Sequence, residues 1–229
     1  MKNFEEGEIL LFNKDLTWTS FDLVNKARNI IRKSLNKRNI KVGHAGTLDP
    51  LATGLMIVCT GKATKTIDQF MGLNKTYITT IEFGRSTPSF DLETEVDQTK
   101  DYQHITKELL LQTLQQFEGA QDQIPPMFSA ININGKRAYQ LARKGIVAEL
   151  KSKPITIYKI ELLEFDLPKV TLQIHCSKGT YIRSIARDLG LALDTVAYLT
   201  KLERTQIGDY HIDQAIDIQQ FENQFSITL

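Results

Sequence analysis

Residues 41–54 read KVGHAGTLDPLATG and run straight into the apolar stretch Leu55-Met56-Ile57-Val58-Cys59. Gly43, Gly46 and Gly54 supply backbone freedom where other residues clash. Pro50 disfavours the helical region for Asp49, which places that acid at the end of an extended or turning segment. A carboxylate fixed on a loop ahead of a buried strand is well placed to meet a substrate. The same dipeptide also starts helices, with Asp49 as N-cap, Pro50 in the first turn and Gly54 as the stop. On the residues alone both readings stand.

The chain has 229 residues, 41% of them hydrophobic, enough for one large domain or two small ones. Its formal net charge is +1, so nothing global announces a polyanionic partner. Local charge is uneven. From Lys26 to Lys41 seven basic side chains (Lys26, Arg28, Arg32, Lys33, Lys37, Arg38, Lys41) occur without one acid, and from Lys136 to Lys153 only Glu149 opposes the bases. Acids gather between Asp91 and Asp101 and near the C-terminus. Two basic stretches in a neutral chain suit a nucleic-acid face, although solvated helix faces carry the same composition. Cys59 and Cys176 sit in apolar runs and read as reduced core residues. No signal peptide or membrane span is visible, so a cytoplasmic protein is expected.

Reading outward from the central stretch, Ile9–Phe12 is a buried strand, and Thr19 or Ser20 caps a helix to about Leu35 with Phe21, Val24, Ala27 and Ile31 as its apolar stripe. Gly61–Met71 is a short helix. A P-loop is excluded there, because Gly54 and Gly61 are too far apart and Ala63 replaces the Ser or Thr such a loop needs. Lys75–Phe83 alternates as a strand with Tyr77, Thr79, Ile81 and Phe83 on one face. Gly84–Lys100 is a long polar connection. Thr106 caps a helix to about Phe117 carrying Leu109, Leu110, Leu114 and Phe117, and Ile124-Pro125-Pro126 interrupts regular structure. A turn at Asn134-Gly135 and a basic helix over Ala138–Lys144 follow. Strands at Ile155–Phe165 and Val170–Cys176 lead to a helix with Ile182, Ile185, Ala186 and Leu189 buried and Arg183 on its polar side. Leu202–Gly208 closes the domain. The class expected is α+β with a mixed, largely antiparallel sheet and flanking helices.

The segment Gly46-Thr47-Leu48-Asp49-Pro50 resembles the GTLDP motif of the pseudouridine synthases, in their TruB-like branch, and further motifs follow in the same order. The resemblance runs from about Gly7 to Gly208. The family's Lys-Pro-x-Gly-x-(Thr/Ser)-Ser turn is matched at Lys14, Thr19 and Ser20, but Asp15 and Thr17 stand where Pro and Gly would be. The resemblance implies a sheet of the pseudouridine synthase type with a central catalytic cleft. It implies conversion of the T-loop uridine at tRNA position 55 to pseudouridine. Asp49 matches the nucleophile, Tyr77 the ring that stacks on the flipped uracil and relays the C5 proton, and Arg183 the arginine that pairs with the acid. His44 matches a histidine that pushes into the RNA, Leu202 an apolar pocket wall, and Lys65 and Tyr181 residues lining the cleft. Thr87, Ser89 and Asp91 match a loop that touches the RNA. It further implies one catalytic domain over residues 1–229, an RNA-facing flap at about 124–153, a tRNA T-arm partner, no guide RNA and a monomer. After Gly208 too little chain follows for the C-terminal PUA-type domain of longer members.

The residue types suit the reaction. A flipped base needs an aromatic or apolar slot, and a carboxylate attacks either the base at C6 or the ribose at C1′. No cofactor or metal is expected, since the isomerisation is not a redox step and His44, His104, His175 and His211 lack ligand spacing. A non-catalytic RNA-binding module or tRNA chaperone on the same scaffold is the alternative, against which the set Asp49, Tyr77 and Arg183 argues. A hydrolase, metal enzyme or nucleotide enzyme lacks its nucleophile–base pair, metal cluster or P-loop.

Overall fold

The apolar run behind the glycine-rich segment is a strand, and the glycine-rich segment itself is loop. The computed structural model describes residues 3–133, 135–146 and 148–225. In chain order it gives β1 (Ile9–Lys14), α1 (Ser20–Ser34), β2 (Val42–His44), β3 (Thr53–Thr60), a 3-10 stretch (Gly61–Thr66), α2 (Ile67–Met71) and β4 (Lys75–Phe83). The short pair β5 (Arg85–Ser86) and β6 (Gln98–Thr99) precedes α3 (Lys107–Gln116) and β7 (Gly119–Gln123). Next come β8 (Asn132–Ile133), β9 (Lys136–Arg137), α4 (Ala138–Ala142), β10 (Lys153–Asp166) and β11 (Lys169–Cys176). Then α5 (Ile182–Ala192), β12 (Ala197–Ile207), β13 (Tyr210–His211), a 3-10 turn and α6 (Ile218–Phe225) complete the chain. Two compact units divide it: Met1–Tyr77 with Leu202–Leu229, and Ile78–Lys201. The chain passes from one to the other within β4 and within β12.

In the first unit β3 is the central strand. Along one edge it pairs antiparallel with β1, from Ile9 opposite Cys59 to Lys14 opposite Gly54. It also pairs antiparallel with β2 and, at Thr53 and Gly54, in parallel with Glu203 and Arg204 of β12. That parallel step makes the sheet mixed. Its strand is apolar on both faces, and Gly54 to Thr60 are all buried. Leu55, Ile57 and Cys59 pack with Ala45, Phe70 and Ile207 in one cluster. On the other side Phe12 meets Phe221 of α6 edge-on, with ring centroids 5.1 Å apart. Full burial of a ring like Phe221 contributes about 1.5–3 kcal/mol.

Helix α1 starts where expected, because the Thr19 hydroxyl accepts from the Asp22 amide at 3.0 Å while the Asp22 carboxylate accepts from the Thr19 amide at 2.9 Å. Its buried stripe is Leu23, Val24, Ala27, Ile30 and Ile31. Phe21 is 65% exposed, so the expected stripe is one residue out of phase at its start.

The second unit orders its strands β4-β11-β10-β7. β10 and β11 form a long antiparallel pair, with Val170, Leu172, Ile174 and Cys176 buried as their alternation predicts. β7 pairs antiparallel with the other edge of β10, from Gly119–Ile157 to Gln123–Lys153. Thr106 caps α3 by accepting from the Leu109 amide at 3.1 Å, but Leu109 itself is exposed; Leu110, Thr113 and Leu114 are the buried face. The Gly84–Lys100 connection is less irregular than expected, since Arg85 pairs with Thr99 and Ser86 with Gln98. Of the turn expected at Asn134-Gly135, Asn134 lies outside the described residues.

Candidate active site

Asp49 sits on the β2–β3 loop and not at a helix start, which resolves the two readings of Asp-Pro in favour of the turn. Several contacts hold the backbone of this loop. The buried Ser20 hydroxyl donates to the Leu48 carbonyl at 3.0 Å and accepts from the Leu48 amide at 2.9 Å. The Ala52 amide bonds to the Asp49 carbonyl at 3.0 Å. Pro50 offers its carbonyl to the Thr17 amide at 2.8 Å and to the Lys14 ammonium at 3.5 Å. The Asp49 side chain is half-buried on this loop.

Lys14 is fully buried at the end of β1 and spends its three donors on the carbonyls of Asp15, Trp18 and Pro50. Burial lowers its pKa to about 8, partly offset by the nearby charges of Asp15 and Asp49. The unfolded lysine titrates near 10.5, so between these values the unfolded chain binds a proton that the folded chain has released. Stability from this group therefore rises with pH from about 8 to 10.5, and its cost is complete below 8. Urea denaturation at pH 7.5 and 10 is expected to show the native protein gaining on Lys14→Met at the higher pH.

The turn over residues 14–20 carries Asp15 and Thr17 and is tied to the Asp49 loop through Thr17 and Lys14. Thr17 adopts φ 70°, the left-handed region, where a β-branched residue is strained. Its amide still reaches Pro50, so the conformation belongs to the frame of the Asp49 loop. Thr17→Gly relieves that strain and returns part of it as unfolded-state entropy, for an expected net stabilisation of about 0.5–1 kcal/mol. The check is a higher urea midpoint at unchanged slope.

Tyr77 points inward beside the β4 core, 9% exposed, as its alternation with Ile81 predicts. Its partner was not legible in the sequence. Arg204 of β12, 2% exposed, bonds to the Tyr77 side chain, to the Leu55 carbonyl through Nε at 2.8 Å and to the Gly46 carbonyl through Nη2 at 3.2 Å. Burial lowers the Arg204 pKa, and the Tyr77 phenol opposes that shift. Lys14, Gly54 and Arg204 are successive partners across β1, β3 and β12. Gly54, at φ 110°, has no room for a side chain, because a Cβ would fall inside the backbone of Arg204. His44 ends β2, half-buried, with Nδ1 unbonded among the described residues; burial first, then Arg204, lowers its pKa. Leu202 is half-buried, and Lys65 is exposed on the 3-10 stretch.

The other expected residues belong to the second unit. Arg183 is 4% exposed, which corrects the expectation that it lies on the polar side of α5. The first turn of that helix is buried all round, from Ile182 to Ala186. Within this unit its Nε lies 3.5 Å from Asp91, and it donates to the carbonyls of Ser89 at 3.3 Å and Phe128 at 2.9 Å. Thr87, Ser89 and Asp91 are likewise buried and turned into their own loop. The Thr87 hydroxyl bonds to the Asp91 carbonyl at 2.6 Å, and the Glu93 amide to the Asp91 carboxylate at 2.9 Å. Tyr181 is half-buried at the start of α5, its backbone clamped in both directions by the Gln123 side chain at 2.8 and 3.1 Å. Strand β7 thus positions the entry to α5.

A loop-borne acid and a buried tyrosine on a mixed sheet define a class, and residues 32–182 match the family model of the TruB family pseudouridylate synthase N-terminal domain. The chain belongs to that family. It is 55% identical over 219 residues to the tRNA pseudouridine synthase B of Phocaeicola vulgatus, covering 96% of this chain and 93% of that one. It is 56% identical over 221 residues to the protein of the same name in Parabacteroides distasonis, with 96% and 94% covered. Among solved structures it is similar to a chain of a Cbf5-Nop10-Gar1 complex, with a TM-score of 0.68 and 27% identity. That match covers 93% of this chain and 52% of the other, so the chain spans about half the length of the solved chain.

Proposed function

We propose that this chain is a tRNA pseudouridine-55 synthase, an isomerase that flips the T-loop uridine out of the RNA and reattaches it through C5. The observation that carries the reading is Asp49, the acid of the Gly46-Thr47-Leu48-Asp49-Pro50 segment, on a loop whose backbone is fixed by Ser20, Thr17 and Lys14; its carboxylate is read as the nucleophile. Near-full-length relatives named tRNA pseudouridine synthase B support the substrate. Tyr77 stacks on the flipped uracil and takes the C5 proton, Arg183 balances the acid, and His44, Lys65, Leu202, Tyr181, Thr87 and Asp91 serve substrate binding. Flipping costs a few kcal/mol, which stacking on an aromatic side chain offsets.

The partner is the tRNA T-arm, bound by a monomer without guide RNA in the cytoplasm. Among the described residues no helix is long and apolar enough to cross a membrane. Lys26 and Lys37 of the basic run are occupied by Glu222 and Glu5. Among the described residues that leaves Arg32, Lys33, Arg38 and Lys41, with Lys136, Lys144, Lys151 and Lys153 of the 124–153 flap, for phosphate contacts. Tritium release from tRNA labelled at uridine C5 tests the function. Release in step with pseudouridine supports it; binding without release supports the non-catalytic module.

A further inference from the structure

We propose that Arg204 is the positioning residue of this site, fixing the Tyr77 oxygen as a hydrogen-bond acceptor and stabilising its phenolate, so that Tyr77 acts as the base that removes the C5 proton. The proposal rests on the synthase reading and deepens it.

A guanidinium has donors and no acceptor, so its bond to Tyr77 leaves the phenol oxygen accepting. The other Arg204 partners are the neutral carbonyls of Leu55 and Gly46, and among the described residues no carboxylate pairs with it. A buried cation without a counter-charge is costly. Ionising the neighbouring phenol supplies the missing counter-charge, and this attraction works against the desolvation that burial at 9% exposure imposes on a phenolate. The same guanidinium holds Gly46, three residues before Asp49, so one side chain sets the spacing of base and nucleophile. In the step itself the C5–H bond breaks and its proton goes to the Tyr77 oxygen. The bonding pair restores the C5–C6 double bond, N1 ends protonated from solvent, and the tyrosine later returns its proton to water.

Within this unit Arg204 acts electrostatically on Lys14 and His44, and Asp49 and Asp15 act on Lys14. His44 is held towards its neutral form. Lys14 loses its proton near pH 8 and so adds a second titration to the profile, which the ultraviolet phenolate reading does not share.

The experiment is an ultraviolet phenolate titration of the native protein against Tyr77→Phe, which isolates one of seven tyrosines. It is paired with single-turnover pH profiles of native, Arg204→Lys and Arg204→Met proteins checked for folding by thermal melting. The difference titration is expected to place Tyr77 below the ordinary tyrosine value of about 10. The folded Arg204→Met protein is expected to need a pH at least about one unit higher for half-maximal rate, with Arg204→Lys in between. An ordinary or raised Tyr77 titration overturns the proposal even if both Arg204 variants fail to fold. So does an unshifted profile in a folded variant, which leaves Arg204 a structural residue. Absence of tritium release by the native enzyme instead overturns the synthase reading, with the titration unaffected.

Discussion

Asp49→Asn is expected to leave no detectable pseudouridine in a single-turnover assay, a loss of at least about 10⁴-fold. Asparagine keeps the size of the side chain and removes the nucleophilic charge. The loop backbone has holds of its own: Ser20 grips Leu48, Thr17 and Lys14 grip Pro50, and Ala52 bonds to the residue 49 carbonyl. Folding and RNA affinity are therefore expected to survive. One electrostatic side effect follows: Asp49 favours the charged form of Lys14, so its loss moves the Lys14 titration further down. The measurement is pseudouridine formed on T-arm RNA, alongside binding of the same RNA. Turnover retained in a purified variant places the nucleophile on another residue.

What the sequence disclosed follows from how far each residue's environment is local. Strands β3, β4 and β11 were legible because alternation or an unbroken apolar run is written into neighbouring residues. Asp49 was legible because Pro50 and three glycines constrain its backbone. Strand β7, GAQDQ, was missed because it is polar and edge-like, and its register comes from β10, which follows about thirty residues later. Phe21 was misplaced because a residue in the first turn of a helix has fewer neighbours to cover it. The buried cations were the hardest. Arg204 and Arg183 carry the residue type that usually marks a solvated face, and what buries them is contributed by distant carbonyls and by Asp91. Lys14 did leave a trace: Leu10, Phe12 and Lys14 share the inward positions of β1, so strict alternation points the lysine into the core. No comparable period marks Arg204, whose role depends on a parallel neighbour, Gly54, distant in the chain.

Tyr77→Phe is expected to slow the chemical step by about 10²–10⁴-fold while changing RNA affinity little. Phenylalanine keeps the ring, hence the stacking surface that receives a flipped base, and removes only the oxygen. That oxygen has two proposed purposes: to accept the C5 proton, and to serve as an ionisable partner of the buried Arg204 guanidinium. Its removal leaves a buried charged donor short of an acceptor, a loss of about 1–3 kcal/mol in stability that a melting curve reads independently of activity. The two consequences separate cleanly. A variant that is destabilised yet turns over at a near-native single-turnover rate reduces Tyr77 to a stacking ring and a structural acceptor. A variant that is slow while still binding RNA, with a larger hydrogen isotope effect at C5 than the native enzyme, places the proton-transfer step on the phenol oxygen, because only a slowed cleavage of the carbon–hydrogen bond exposes that effect.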